Sequence, residues 1–195
     1  MGFIRNILAL LGLAAIGMMV WIGPTMYKYK VAFDGFDEKS FEMYKGLGER
    51  LIEHGNAVGA TVWSAKVADG LTFEEVDQSI RNIAIERNIK DVGNLPLGDQ
   101  VAAMQGQPWR KLNIYLYCNP LTAAKMVEYD IAYAAYLPCR VSLAEDENGD
   151  LWIFTLDMDL MIYGGETLPP ALLEEALGVK ETMLEILTRA AEGDF

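Results

Sequence analysis

One histidine and two cysteines in 195 residues leave little material for the commonest catalytic and metal-binding constellations. A zinc site built on several histidines needs more than His54, and so does a triad that depends on histidine. Two cysteines are too few for a disulfide scaffold, and no Cys-x-x-Cys step is present. Basic residues are scarce as well: 16 Lys and Arg stand against 28 Asp and Glu, a net charge of −12. Nucleic acid is disfavoured as a partner on that ground, because phosphate binding needs a basic surface. A P-loop, a dinucleotide fingerprint, a nucleophile elbow and an internal repeat are all missing. The apolar share of 52% is far above that of disordered chains, so a folded domain with an appendage is expected.

A local absence is more informative. No residue between Arg5 and Lys28 carries a formal charge, and the run from Ile7 to Gly23 is apolar on every face. At about 1.5 Å per residue the uncharged stretch is long enough to cross the ~30 Å of a bilayer's hydrocarbon. A buried core helix would show a polar stripe, which this run lacks. A cleaved signal peptide would need a small-x-small site after the run, where instead Pro24 follows. The expectation is a single-pass anchor, with the membrane engaged through residues 7–23 and an anchor and juxtamembrane segment over residues 1–29. Arg5 before the span and Lys28 and Lys30 after it nearly balance. A short tail followed by the whole domain is the arrangement of a signal anchor, which in the bacterial inner membrane exports the domain to the periplasm. Without residues 1–27 the chain has 15 basic and 28 acidic residues, a net −13. Such a body is repelled by anionic headgroups, so a protein partner at the membrane is expected.

Residues 30–56 read as a linker and an accessory helix at about 37–54, capped by Asp37 or Ser40 and stopped by Gly55. Residues 57–195 read as an α+β domain. Ala57–Val67 has strand composition, and Thr72 with Glu75 forms a capping box for a helix reaching about Lys90. Residues 91–110 are punctuated by Gly and Pro, with a helical turn at 99–105. Lys111–Cys118 alternates as a strand, with Leu112, Ile114, Leu116 and Cys118 assigned to the core and Tyr115 and Tyr117 to the other face. Asn119-Pro120 opens a helix. Cys139, Val141 and Leu143 form one face of the next strand, and Asn148-Gly149 is a hairpin turn. Trp152, Phe154, Leu156, Met158, Leu160 and Ile162 read as one continuously buried face of a return strand. A final helix follows Pro169-Pro170. The pattern predicts an antiparallel or mixed sheet with helices packed on one face.

The steps Cys118-Asn119-Pro120, a helix, Leu137-Pro138-Cys139-Arg140 and an acidic Asn-Gly hairpin resemble the prokaryotic family grouped as domain of unknown function 302. The resemblance spans about residues 57–190 and is most specific over 112–163. It implies a compact fold similar to the TATA-binding-protein-like class, with an antiparallel sheet and two main helices, and it implies no established reaction or cofactor. The anchor and the helix at 37–54 depart from the family's minimal form.

Four groups of residues are candidates for chemistry. Cys118 and Cys139 read as buried inert thiols, as a disulfide, or as a redox-active or metal-binding pair, with Cys118 beside a helix N-terminus that favours a thiolate. Met126, Met158 and Met161 bring thioethers suited to Cu(I), although Met158 continues the apolar face set by Trp152 and core packing is its better explanation. Tyr115 and Tyr117 offer a ligand or partner face, unless the helix at 37–54 covers it. Asp157 and Asp159 share the polar side of their strand and read as a carboxylate pair or as solvated charges. The combined expectation is a membrane-anchored, periplasmic binding or accessory domain, with a thiol-redox or metal-handling protein as the alternative.

Overall fold

The computed structural model describes residues 2–194. Met1 and Phe195, the outermost residues of the expected anchor and domain, lie outside the described residues. Helix α1 (Gly2–Phe33) contains the uncharged run, has no buried residue and is long and apolar enough to span a membrane. Helix α2 (Ser40–His54) follows and ends on Gly55 in the left-handed region, as the sequence predicts.

The body is a five-stranded antiparallel sheet, in the order β1-β5-β4-β3-β2. Its strands are β1 (Val62–Lys66), β2 (Lys90–Leu95), β3 (Leu112–Cys118), β4 (Cys139–Glu145) and β5 (Leu151–Leu156). Helix α3 (Ala57–Ala60) precedes β1, and α4 (Phe73–Glu86) links β1 to β2. Between β2 and β3 comes α5 (Leu97–Gln105), and β3 leads to α6 (Pro120–Tyr129) and a 3-10 turn at Ile131–Tyr136. After β5 come α7 (Asp159–Tyr163) and α8 (Pro170–Glu192). The capping box closes as expected: Glu75 N–H donates to Thr72 Oγ1 at 3.2 Å, and Thr72 N–H donates to Glu75 Oε2 at 2.8 Å. Asn119 caps α6 with Pro120 at its first position, and Gly149 takes a φ of 85° in the hairpin turn.

Helices α4 and α8 cover one face of the sheet. Val76, Ile80 and Ile83 of α4 and Met183, Ile186 and Ala190 of α8 pack on Tyr115, Val141, Leu143 and Ile153. This reverses the expected faces of β3 and β5. Tyr115 and Tyr117 are 0% and 1% exposed, whereas Leu112, Ile114 and Leu116 are half-buried on the uncovered side. Likewise Ile153 and Thr155 are buried while Trp152, Phe154 and Leu156 point away from α4 and α8, Leu156 toward a cavity beside α2. Register explains the reversal. Val141 pairs with Tyr115 on one side and with Thr155 on the other, and directly paired residues of antiparallel strands share a face. Once Val141 and Leu143 face the helices, as their alternation predicts, Tyr115 and Thr155 must do the same.

Other boundaries differ too. The expected strand 57–67 begins as α3, because Asn56 Oδ1 accepts the Gly59 N–H at 2.9 Å and caps a helical turn. The helix expected to reach Lys90 ends at Glu86, and residues 90–95, at the start of the stretch punctuated by Gly and Pro, form an edge strand. The return strand stops at Leu156, since Asp157 Oδ1 accepts the Asp159 N–H at 2.9 Å and turns the chain into α7. At α2, neither Asp37 nor Ser40 is the cap. Asp37 N–H instead donates to Gly165 O at 2.8 Å, beside a bridge between Phe36 and Glu166.

Candidate functional site

The expected ligand face does not assemble. Tyr115 and Tyr117 lie under α4 and take no part in an open surface. Tyr115 O–H donates to Asp77 Oδ1 at 2.6 Å, and Asp77 also accepts from Arg81 Nε at 2.9 Å and Asn113 Nδ2 at 3.1 Å. Burial would raise the Asp77 pKa, but Arg81, Tyr115 and Asn113 together hold it below the ordinary value. Burial and the facing carboxylate push the Tyr115 hydroxyl well above its usual range. The network lets tyrosine serve as a core residue, because its one polar atom is satisfied at the helix edge.

Asp157 and Asp159 lie beyond the end of β5, far from a free carboxylate pair in their bonding. Arg50 Nη2 donates to Asp157 Oδ2 at 2.5 Å while Arg50 Nε donates to Ala60 O at 3.0 Å. Asp159 pairs with Lys180, whose ammonium lies 5.5 Å from the ring centres of Trp63 and Tyr163. Burial raises the Asp157 pKa, against the neighbouring Asp159 N–H and Arg50, which lower it. Both carboxylates are spent on holding α2 and α8 to the sheet's end. The acidic hairpin is also self-satisfied. Asp146 accepts from the N–H groups of Asn148 and Asp150 and from Trp152 Nε1, and Asp150 pairs with Lys66 at 2.8 Å.

Cys118 and Cys139 do come together. Both line a cavity of about 50 Å³ between β3, β4, α6 and α7. The two sulfurs are unbonded, and register sets Cys139 opposite Tyr117 and Cys118 opposite Lys90 rather than opposite each other. The expected thiolate at the α6 N-terminus is not favoured: burial raises the Cys118 pKa. Burial and the neighbouring Cys118 push Cys139 up to about 11. Arg140 points away from the cavity, as alternation requires.

The surface that reasoning from alternation missed is the uncovered sheet face. Leu156, Phe154 and Trp152 of β5 form one apolar column, and Leu116, Ile114 and Leu112 of β3 form another. Between them β4 contributes Arg140, Ser142 and Ala144, which make a shallow trough. No helix packs on the centre of this face, and the Arg140 guanidinium has no ion pair among the described residues. The unbroken alternation of Trp152, Phe154 and Leu156 was the available signal, read for the wrong side.

An antiparallel sheet with two helices on one face and a thiol-lined cavity at one end defines the α+β class of this domain. A family model for the domain of unknown function DUF302 matches residues 63–190, and the chain belongs to that family. Its fold is similar to the crystal structure of an uncharacterized conserved DUF302 protein from Bacillus stearothermophilus. The TM-score is 0.52 at 17% identity, covering 67% of this chain and 98% of that one. No curated protein matches the sequence.

Proposed function

We propose that this chain is a membrane-anchored accessory subunit whose DUF302 domain docks on a protein partner of a bacterial inner-membrane complex, on the periplasmic side. The observation that carries this reading is the uncovered sheet face, with two apolar columns flanking Arg140, Ser142 and Ala144. Five strands about 4.8 Å apart give a patch of several hundred Å², the size at which monomers hold a functional surface. Its unpaired guanidinium stands out on a body of net charge −13 and asks for an apolar partner surface bearing a carboxylate. The membrane engagement rests on α1, long and apolar enough to span a bilayer, and the periplasmic side is part of the same proposal.

A photo-crosslinking residue at Ser142, in native membranes, tests the proposal, with Ile85 on the outer side of α4 as the control position. Ser142 is expected to capture a second membrane-associated protein and Ile85 to capture none. No adduct from Ser142, the same adducts from both positions, or adducts only between copies of this chain would overturn it.

A further inference from the structure

Both cysteines of the chain and three of its ten methionines line one cavity of about 50 Å³. Cys118 ends β3, Cys139 begins β4, Met126 comes from the second turn of α6, Met158 from the step before α7, and Met161 from α7 itself. Five sulfur-bearing residues from five places in the sequence therefore line one space the size of an ion and its coordination gap. We propose that this cavity is a binding site for a soft monovalent metal ion, Cu(I), held by cysteine sulfur and methionine thioethers. The proposal is independent of the docking face, which lies elsewhere on the sheet.

The donor set selects the metal. Thiolate and thioether are soft ligands that prefer Cu(I), while hard cations need carboxylates and carbonyls. No Asp, Glu or His lines the cavity, so Mg²⁺ and Ca²⁺ find no carboxylate there, and tetrahedral Zn²⁺ lacks its usual four nitrogen or thiolate ligands. The volume decides against an organic ligand, because sites for drug-sized molecules are about 300–1,000 Å³. Charge fits as well. When one cysteine coordinates Cu⁺, its thiol proton leaves to water, and thiolate and metal form a neutral unit. Uncharged thioethers complete the shell, so an apolar cavity holds the complex without an uncompensated charge. Tyr136 and Asn119, exposed at the margin, mark the route from solvent. Methionine is a common filler of irregular cores, but filler removes a cavity instead of surrounding one.

The test is anaerobic titration of the full-length protein in detergent with Cu(I), against a chromogenic Cu(I) chelator as competitor. Wild type is expected to retain one equivalent, with a shell of sulfur scatterers only by X-ray absorption at the copper edge. Met158→Leu keeps the apolar volume and is expected to weaken binding about tenfold or more while its circular dichroism spectrum stays that of wild type. A Cys118→Ser/Cys139→Ser double variant, checked for folding in the same way, is expected to lose the equivalent. Failure of wild type to hold Cu(I), nitrogen or oxygen in the shell, or undiminished binding by the double variant overturns the site. Zn²⁺ retained as firmly as Cu(I) overturns the choice of metal.

Discussion

Tyr115, fully buried in the centre of β3, donates its hydroxyl to Asp77 of α4 at 2.6 Å, and the Arg81 guanidinium lies 5.3 Å from its ring centre. A hydrogen bond to a charged acceptor contributes about 1.5 kcal/mol or more. Tyr115→Phe keeps the ring and removes that bond. It is expected to lower unfolding stability by about 1.5 kcal/mol with an unchanged m-value, read by urea denaturation of the full chain in detergent.

The same network gives a pH dependence of known sign. Asp77 titrates below its ordinary value of 3.8 in the folded chain, so the unfolded chain takes up the proton first as pH falls. The stabilisation is complete above about pH 5 and is lost as pH drops through 3.8 toward the folded value. Asp77→Asn is expected to be less stable than wild type at pH 7 and to lose less on acidification. Thermal melts of both proteins between pH 3 and pH 7 check this.

The two faces of β5 let packing be told apart from the proposed docking. Ile153→Ala opens a cavity under α4 and α8 and is expected to cost about 3 kcal/mol, within the usual range for buried aliphatic truncation. Phe154→Ser, one residue on, is expected to cost less than half of that while abolishing the Ser142 crosslink. Equal losses from both variants would mean that the face opposite the helices is covered. Melting temperatures and crosslink yield are read from the same preparations.

Thiol chemistry distinguishes the two cysteines. At neutral pH both are protonated, and Cys139, pushed up to about 11, is the poorer nucleophile. A disulfide-exchange reagent at pH 8 is expected to modify Cys118 first and Cys139 much more slowly. The Cys139 rate should keep rising with pH toward 11. Fast reaction of Cys139 at pH 7 would revive a redox role.

The span of α1 is open to direct test. A charged residue at the centre of a membrane helix costs about 2.5–3.5 kcal/mol. Leu13→Arg with Ala15→Arg is expected to move the chain from the carbonate-resistant membrane fraction to the soluble fraction, read by immunoblot.

Local signals in the sequence predicted much of the fold. The Thr72–Glu75 box, the Asn119-Pro120 entry and the Asn148-Gly149 turn all depend on neighbours within four residues, and all formed. What failed were inferences about which side faces inward. On β3 and β5 the stronger apolar alternation lies outward, and the inward side carries Asn113, Tyr115, Tyr117 and Thr155, which read as polar or amphipathic. The burial of Asn113, Tyr115 and Thr155 depends on Asp77 and on Arg140 O, the acceptor of the Thr155 hydroxyl at 2.8 Å, partners distant in sequence. The edge strand β2 was hidden because Gly93 and a register shift between Asp91 and Gly93 break its period. The cysteines could be singled out from sequence, but their convergence with Met126, Met158 and Met161 required the turn after Leu156.

Helix α1 runs ten residues past the apolar stretch, from Pro24 to Phe33, and only Asp34 and Gly35 separate it from the Phe36 bridge to Glu166. The ring of Phe33 already touches those of Phe36 and Tyr44, 4.9 and 6.3 Å between centres. With the apolar run in lipid, this extension is a stalk of about 15 Å. A stalk tied to the body at its base carries the sheet at a set height and limits its tumbling. A partner of the proposed kind, embedded in the same bilayer, would then meet it by lateral diffusion, over a narrow range of orientations. Inserting a flexible stretch at Asp34 would leave every contact within the body intact and would still slow that encounter.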